Sequence, residues 1–471
     1  MNSTLVWIIF PGIVAVLLYI IRHWRRWMVL SGTGVALLLA GLAGLLEVDQ
    51  VVAFGPWSFS ISDTFFVLGR RFVLGQTHQP VLIMMYLGAA FWFAGSNAAG
   101  TDRLFIPAGL GITVLLIAAL AVEPFLYAAL LIEMAALVSV PLLNTPGKGA
   151  GRGLLRFLTY QTIGVPFILF TGWTLSGIEA GSGDLRLVLN AALIMALGFA
   201  FLLAIFPFHT WMPMLGVEAQ PYAVAFVFYI LPLTISLFGI NFLDRYAWLN
   251  GSRWLYAILR IAGVLMVLLG GFWIAFQNHL GRVMGYVVMV EIGLTLLAIS
   301  LGIDPIDREA EMGLFFSQFL PRGLSLAVLG MGLSAIDTRR EALDYTSLQG
   351  IGHQLPIATG ALLLAYFSLA GFPLLAGFPT KIALIYGLFG QFPLAAMAVL
   401  LSSVGIIIGG LRATMSLMVG DAWQDWQVLE SWDERILLTL GGIALFIVGL
   451  FPQLFLPSLA EMAHIFLQNI P

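Results

Sequence analysis

The chain has 471 residues and no cysteine. That excludes disulfides, thiolate metal sites, iron–sulfur ligation and a cysteine nucleophile. Charge is scarce as well: 10% of residues are Asp, Glu, Lys or Arg, while 60% are hydrophobic. A water-soluble domain carries roughly a quarter charged residues, so these side chains cannot clothe a surface in water. Histidine is limited to six positions, His23, His78, His209, His279, His353 and His464. None falls near the middle of an apolar run and no two share a helix face, which argues against a membrane haem held by two histidines. The net charge of −3 is spread singly through loops and implies no nucleic-acid partner. No nucleophile–base pair, metal-ligand spacing or phosphate loop is visible, so no cofactor and no self-contained active site is expected.

What is present is a succession of long apolar runs. A helix needs roughly 20 apolar residues to cross a hydrocarbon core of about 30 Å. Runs of that order cover 4–21, 28–46, 79–98, 104–121, 124–143, 155–177 and 186–208. The second half adds 222–242, 253–275, 282–302, 310–336, 356–390, 394–418 and 434–455. The fold class expected is an all-α integral membrane protein of about fourteen spans. The first run, followed by Arg22, Arg25 and Arg26, reads as a retained anchor and not as a cleavable leader. The twelfth run is too long for one straight helix and is interrupted by Gly371, Pro373, Gly377 and Pro379. The seventh runs into Phe206-Pro207-Phe208-His209-Thr210-Trp211-Met212-Pro213. Spans seven and twelve are therefore expected to be broken helices. Such breaks are tolerated at membrane depth only where protein or a wet cavity covers the freed backbone groups.

Loops after odd-numbered spans hold twelve basic residues: Arg22, Arg25, Arg26, Arg103, Lys148, Arg152, Arg156, Arg282, Arg339, Arg340, Arg412 and Arg435. Loops after even-numbered spans hold six: Arg70, Arg71, Arg186, Arg245, Arg253 and Arg308. The bias places the odd loops in the cytoplasm and both termini outside. Spans four to eight and nine to thirteen form two sets of five, and an odd number inverts the second set relative to the first. Each set has its break in fourth place, and paired interruptions of this kind point to a transport pathway; ordinary proline kinks are the alternative. The expected organisation is a three-helix region at 1–103, repeats at 104–245 and 253–418, and a last span with a short tail at 419–471.

Two carboxylates sit deep in spans: Glu133 in the fifth and Glu291 in the tenth, at the same place in the two repeats. A charge at the bilayer centre costs at least about 2.5–3.5 kcal/mol on insertion scales, so it normally faces a partner or water. A cation moving toward or away from a buried carboxylate drives proton release or uptake. The alternative is a structural hydrogen bond between helices. Arg322 lies mid-span in Gln-Phe-Leu-Pro-Arg-Gly-Leu-Ser-Leu; arginine keeps its proton, so it can gate a path without relaying. Lys381 follows the second break and is the better relay, unless it snorkels to a helix end. Arg260 reads as a snorkelling side chain. His209, with Glu218, Gln220 and Tyr229, follows the first break. It suits proton entry or a hinge, or else its aromatic surroundings anchor the chain at the headgroups.

With these motifs the chain resembles the antiporter-like subunits of respiratory complex I and their relatives in Mrp antiporters and membrane-bound hydrogenases. Phe206 to Pro213 is similar to the family's Pro-Phe-His-x-Trp-Leu-Pro element. Ser368-Leu369-Ala370-Gly371-Phe372-Pro373-Leu374-Leu375-Ala376-Gly377-Phe378-Pro379-Thr380-Lys381 resembles its Ser-Leu-Ala-Gly-Ile-Pro-Pro-x-Ala-Gly-Phe-x-Gly-Lys. Leu280-Gly281-Arg282-Val283-Met284-Gly285-Tyr286 is a weaker match to Leu-Lys-Arg-Leu-Leu-Ala-Tyr.

The resemblance implies inverted repeats and proton transfer along a central polar axis. Glu133 then takes the place of the fifth-span glutamate and Lys381 that of the twelfth-span lysine. Arg322 stands where the eleventh span often has lysine, Gln318 where it has histidine, and Glu291 where the tenth often has histidine. Tyr286, Glu218 and Tyr229 are supporting residues. The seventh-span lysine position is Leu202, and the eighth-span one falls at Pro232 or Leu233. Glu133 thus lacks its expected cation, and proton transfer is expected to depend on the second half.

The family places such a chain in a bacterial cytoplasmic membrane among other integral subunits. It would be a non-redox component of an NADH or ferredoxin:quinone assembly, without a cofactor of its own. The terminal lysine favours a subunit-N-like over a subunit-M-like member, and the short stretch after 455 leaves no room for a long lateral helix. A Mrp-type cation/proton antiporter, an inorganic-carbon uptake complex, and a scaffold with an inactive first half-channel are the competing expectations.

Overall fold

The computed structural model describes residues 2–467 apart from 47, 49–50, 55–56, 68, 145–148, 181–184, 247–251, 303–307, 341 and 420–427. Lys148, one of the loop cations used for orientation, lies outside the described residues. Helices occupy the apolar runs. The first half holds α1 (Phe10–Ile20), α2 (Arg25–Leu45), α3 (Gln79–Gly95), α4 (Phe105–Ala121), α5 (Ala128–Leu143), α6 (Arg152–Ala180), α7 (Leu185–Leu202), α8 (Trp211–Glu218) and α9 (Pro221–Arg245). The second holds α10 (Arg253–Phe276), α11 (Leu280–Ile299), α12 (Arg308–Ser317), α13 (Phe319–Asp337), α14 (Pro356–Ala370), α15 (Gly377–Gln391), α16 (Pro393–Met418), α17 (Trp432–Leu450) and α18 (Leu456–Leu467).

Among the described residues, eight helices are long and apolar enough to cross a membrane, and four further apolar helices are shorter. Burial sorts them into centre and periphery. The apolar stretches of α9 and α11 are 94% and 89% buried, against 33% for α2 and α10. Peripheral helices turn large apolar side chains outward, such as Leu17, Leu30, Leu401 and Leu440, a surface that only hydrocarbon or another apolar protein face can cover. The chain is not wholly helical. Between α2 and α3 it forms antiparallel hairpins, Val51–Phe54 with Trp57–Ser60 and Thr64–Val67 with Arg70–Val73, the last also pairing with Val122–Glu123. The long polar-bounded stretch between these helices satisfies its backbone by pairing, outside the apolar runs from which the helices were read.

Both anticipated breaks are present, and they share one geometry. After α14, Phe372 N–H bonds to Phe367 O and Gly371 N–H to Ser368 O, with Gly371 at φ +77°. After α7, Ile205 N–H bonds to Ala200 O and Ala204 N–H to Phe201 O, with Ala204 at φ +52°. Each is a helix end closed by a left-handed residue with paired six-to-one and five-to-two hydrogen bonds. Glycine meets that requirement freely at 371, whereas at 204 an alanine adopts it.

A third interruption was not anticipated. The eleventh run is divided at Gln318 into α12 and α13. Pro321 has no N–H to give to the Ser317 carbonyl one turn earlier, and the helix opens there.

Candidate functional site

The opening at Gln318 organises the site. Gln318 and Arg322 are one turn apart and share a face; opposite them, Glu291 and Thr295 are one turn apart on α11. Arg322 Nε donates to Glu291 Oε2 at 3.0 Å. Its Nη2 donates to the Glu291 backbone carbonyl at 2.7 Å, to Thr295 Oγ1 at 2.7 Å and to Gln318 Oε1 at 3.0 Å. The ion pair is buried, with side-chain exposures of 5% and 9%, whereas Arg71 and Glu123 form a pair exposed at 48% and 41%. A charge so placed is tolerated because every neighbour in this shell either opposes it or accepts from it.

Lys381 approaches from α15. Its Nζ donates to the Leu369 carbonyl at 2.6 Å, in the last turn of α14, so the ammonium sits at the negative end of a helix. Ser368 Oγ accepts from Gly377 N–H at 3.1 Å and from Ser325 Oγ at 2.9 Å, tying both sides of the break to α13. Glu291, Gln318, Arg322, Ser325, Ser368 and Lys381 surround a cavity of about 20 Å³, room for about one water. Because Arg322 fixes Gln318 Oε1, the amide turns its Nε2 the other way. That nitrogen is buried without a protein acceptor.

The first half is built differently. Gln161 Nε2 donates to the Leu202 carbonyl at 3.1 Å, so a neutral amide caps the end of α7. Leu202 is itself buried, and its side chain packs on Gly164. Glu133 is partly exposed on α5 beside the outward-facing Leu130, Met134 and Leu137. Its carboxylate has no hydrogen-bond or ion-pair partner among the described residues.

The expected site residues therefore separate. Glu291, Gln318, Arg322 and Lys381 come together; Glu133 is remote from them. His209 is buried at the first break, stacked on Phe206, with the Tyr286 ring 6.4 Å away and its Nδ1 without a partner. Tyr286 in turn stacks on Trp273. Glu218 accepts from Gly153 N–H at 2.7 Å and caps the start of α6. Tyr229 lies elsewhere, over Gly323. Arg260 lays its guanidinium 3.3 Å from the Phe392 ring centroid. Sequence reasoning missed Thr295, Ser325, Ser368 and Gln161. Ser368 lay inside a quoted motif, and Gln161 was the lone amide in an apolar stretch of α6. Thr295 and Ser325 gave no signal, because hydroxyls in apolar helices ordinarily bond to their own backbone.

Residues 167–409 match the family described as NADH:quinone oxidoreductase/Mrp antiporter, transmembrane; the segment includes both breaks and the whole second-half cluster but not Glu133 or Gln161. NADH-quinone oxidoreductase subunit N of Geotalea uraniireducens (strain Rf4) is 25% identical over 412 residues, 82% of this chain and 78% of that protein. Subunit N of Francisella tularensis subsp. holarctica (strain FTNF002-00 / FTA) is 27% identical over 272 residues, 57% of this chain and 54% of that protein, so here the chain spans about half of its relative. Among solved structures, a chain of the Mrp complex from Dietzia sp. DQ12-45-1b has the same fold, with a TM-score of 0.82 at 17% identity, over 99% of this chain and 98% of that one. The chain belongs to the NADH:quinone oxidoreductase/Mrp antiporter transmembrane family.

Proposed function

We propose that the chain is a proton-translocating, antiporter-like subunit of a complex-I-like energy-converting membrane assembly, and that its proton path runs through the second half alone. The observation that carries this reading is the water-sized cavity joining Lys381 to Gln318 and the Glu291–Arg322 pair. Lysine and glutamate both exchange protons, whereas arginine does not. With Arg322 seated on Glu291, the guanidinium occupies the carboxylate oxygen and the proton stays on Lys381. Withdrawing Arg322 makes Glu291 the better acceptor, and a proton passes from Nζ through one water to the carboxylate. The net charge of the trio is unchanged by that transfer, so it needs no counter-ion inside the membrane. Return of Arg322 sends the proton from Glu291 toward the exit side, and neutral Lys381 takes up the next proton from the entry side, which closes the cycle.

Gln161 offers no such chemistry: an amide caps the first break but cannot give up a proton. This supports a first half that is structural. The carboxylate of Glu133, on the outer side of α5 and without a partner among the described residues, supports a neighbouring membrane subunit on that face, since an unpaired charge in lipid is costly.

The wider reading is fourteen spans with inverted repeats at 104–245 and 253–418, flanked by 1–103 and 419–471, in a bacterial cytoplasmic membrane with both termini outside. The matching helix-end geometry at Ala204 and Gly371 supports the repeats, and the twelve-to-six distribution of basic residues supports the orientation. The assembly, purified in mild detergent and reconstituted with a pH-sensitive dye, tests the function. Driven proton flux that falls on substitution of Glu291 or Lys381 supports it, and flux indifferent to both refutes it.

A further inference from the structure

Away from the charged cluster, α2, α3, α9, α13 and the segment around α18 enclose a cavity of about 510 Å³, within the usual size range of small-molecule sites. Its rim faces outward: Leu37, Leu87 and Phe91 are 49%, 49% and 44% exposed. Thr33, Gly88 and Tyr229, which line it, fall in the interior of α2, α3 and α9. The pocket therefore opens to hydrocarbon and not to water. Among the described residues, no charged side chain lines it.

Its inner wall is not wholly apolar. Tyr229 is 7% exposed, and no hydrogen bond to its hydroxyl exists among the described residues. The ring cannot easily turn away: Cβ atoms at Gly323 and Gly88 would lie 2.9 Å and 3.5 Å from it, so it is wedged between α3 and α13 by the absence of side chains there. Thr33 contributes a second hydroxyl, from α2, and its Oγ1 is also buried without a partner. A threonine inside a helix normally satisfies itself on the preceding turn. A buried hydroxyl left unpaired costs about 1–3 kcal/mol; here Thr33 Oγ1 is one, and the unbonded Tyr229 hydroxyl on another helix lines the same cavity.

We infer that this pocket binds a neutral, membrane-soluble molecule made of a hydrocarbon chain carrying one carbonyl or hydroxyl group, which Tyr229 and Thr33 hydrogen-bond. A plain alkyl chain fills the volume but leaves both hydroxyls unsatisfied. A charged head is excluded by the lack of a counter-charge at this depth. Apart from the hydroxyls of Tyr229, Thr33 and Ser458, the walls are apolar, so a chain bearing one polar group matches them better than water does.

Photolabelling of the intact assembly in its native membranes tests this independently of proton flux. The probes are a long-chain ketone bearing a diazirine and an alkyne, and the matching hydrocarbon without the oxygen. The ketone is expected to label peptides from α3 and α18 severalfold more than the hydrocarbon. Tyr229→Phe combined with Thr33→Val removes that excess and leaves hydrocarbon labelling unchanged, which also reports that the variant is folded. Gly88→Phe, filling the pocket, suppresses labelling by both probes. Equal labelling by the two probes, or an excess that survives the Tyr229 and Thr33 changes, overturns the proposal. So does an absence of labelling at these peptides, as when another subunit covers the opening.

Discussion

Lys381 and Gln161 cap the same backbone position in the two broken helices, each donating to the carbonyl two residues before the left-handed turn: Leu369 at 2.6 Å and Leu202 at 3.1 Å. One cap can exchange a proton and the other cannot. From that difference the asymmetry of the two halves follows.

Lys381→Gln keeps a donor for the Leu369 carbonyl but has no exchangeable ammonium. Thermal unfolding in detergent is expected to show a loss within about 1 kcal/mol, while driven proton flux falls to background. Gln161→Leu is the mirror case. It strands the Leu202 carbonyl, lowers stability by about 1–3 kcal/mol and leaves flux per folded molecule unchanged.

Arg322→Ala leaves the Glu291 carboxylate buried and unpaired, at a cost of about 3–5 kcal/mol. The double change Glu291→Leu with Arg322→Met removes both charges, and recovers most of that stability without recovering flux. A double variant that conducts would place the relay outside this pair. Denaturation midpoints and vesicle flux measured on the same preparations separate the two effects.

Gln318→Leu removes both the Oε1 that orients Arg322 and the Nε2 that is buried without a protein acceptor. Losing one hydrogen bond of about 1 kcal/mol in the transfer state slows flux roughly fivefold. Gln318→Glu keeps the acceptor for Arg322 and adds a second carboxylate to the site; it is expected to trap a proton and slow flux further as pH falls. Flux against pH for the two variants distinguishes a donor role from simple packing.

The two left-handed residues respond in opposite directions. Gly371→Ala puts a side chain at φ +77° and a Cβ 2.6 Å from Lys381 Cδ, so it costs about 1–2 kcal/mol and displaces the lysine, lowering flux. Ala204→Gly relieves a residue at φ +52° and stabilises by up to about 1 kcal/mol, with flux unchanged.

Much of this was legible in the sequence because a membrane restricts the possibilities. Apolar runs could only be helices, and Gly371-Phe372-Pro373 could only interrupt one. The grouping of Glu291, Arg322 and Lys381 was readable because charges that deep need partners. Three things were not. The opening at Gln318 depends on a single Pro321 near the middle of an otherwise good helix, where proline is often accommodated by a mild kink. The outward placement of Glu133 is a matter of helix rotation, and α5 is apolar on every side, so no amphipathic face fixes it. Gln161 acts across 41 residues on a carbonyl, and a contact to backbone leaves no complementary side chain to look for. The hairpins at 51–73 are short and lie between the spans, where hydropathy is silent.

The most direct measurement compares driven proton flux for Lys381→Met and Glu133→Gln in vesicles containing the intact assembly. The second-half path predicts flux at background for Lys381→Met, and flux for Glu133→Gln close to that of the unchanged protein wherever assembly is intact. Full flux in Lys381→Met, or its loss in a fully assembled Glu133→Gln, would contradict it.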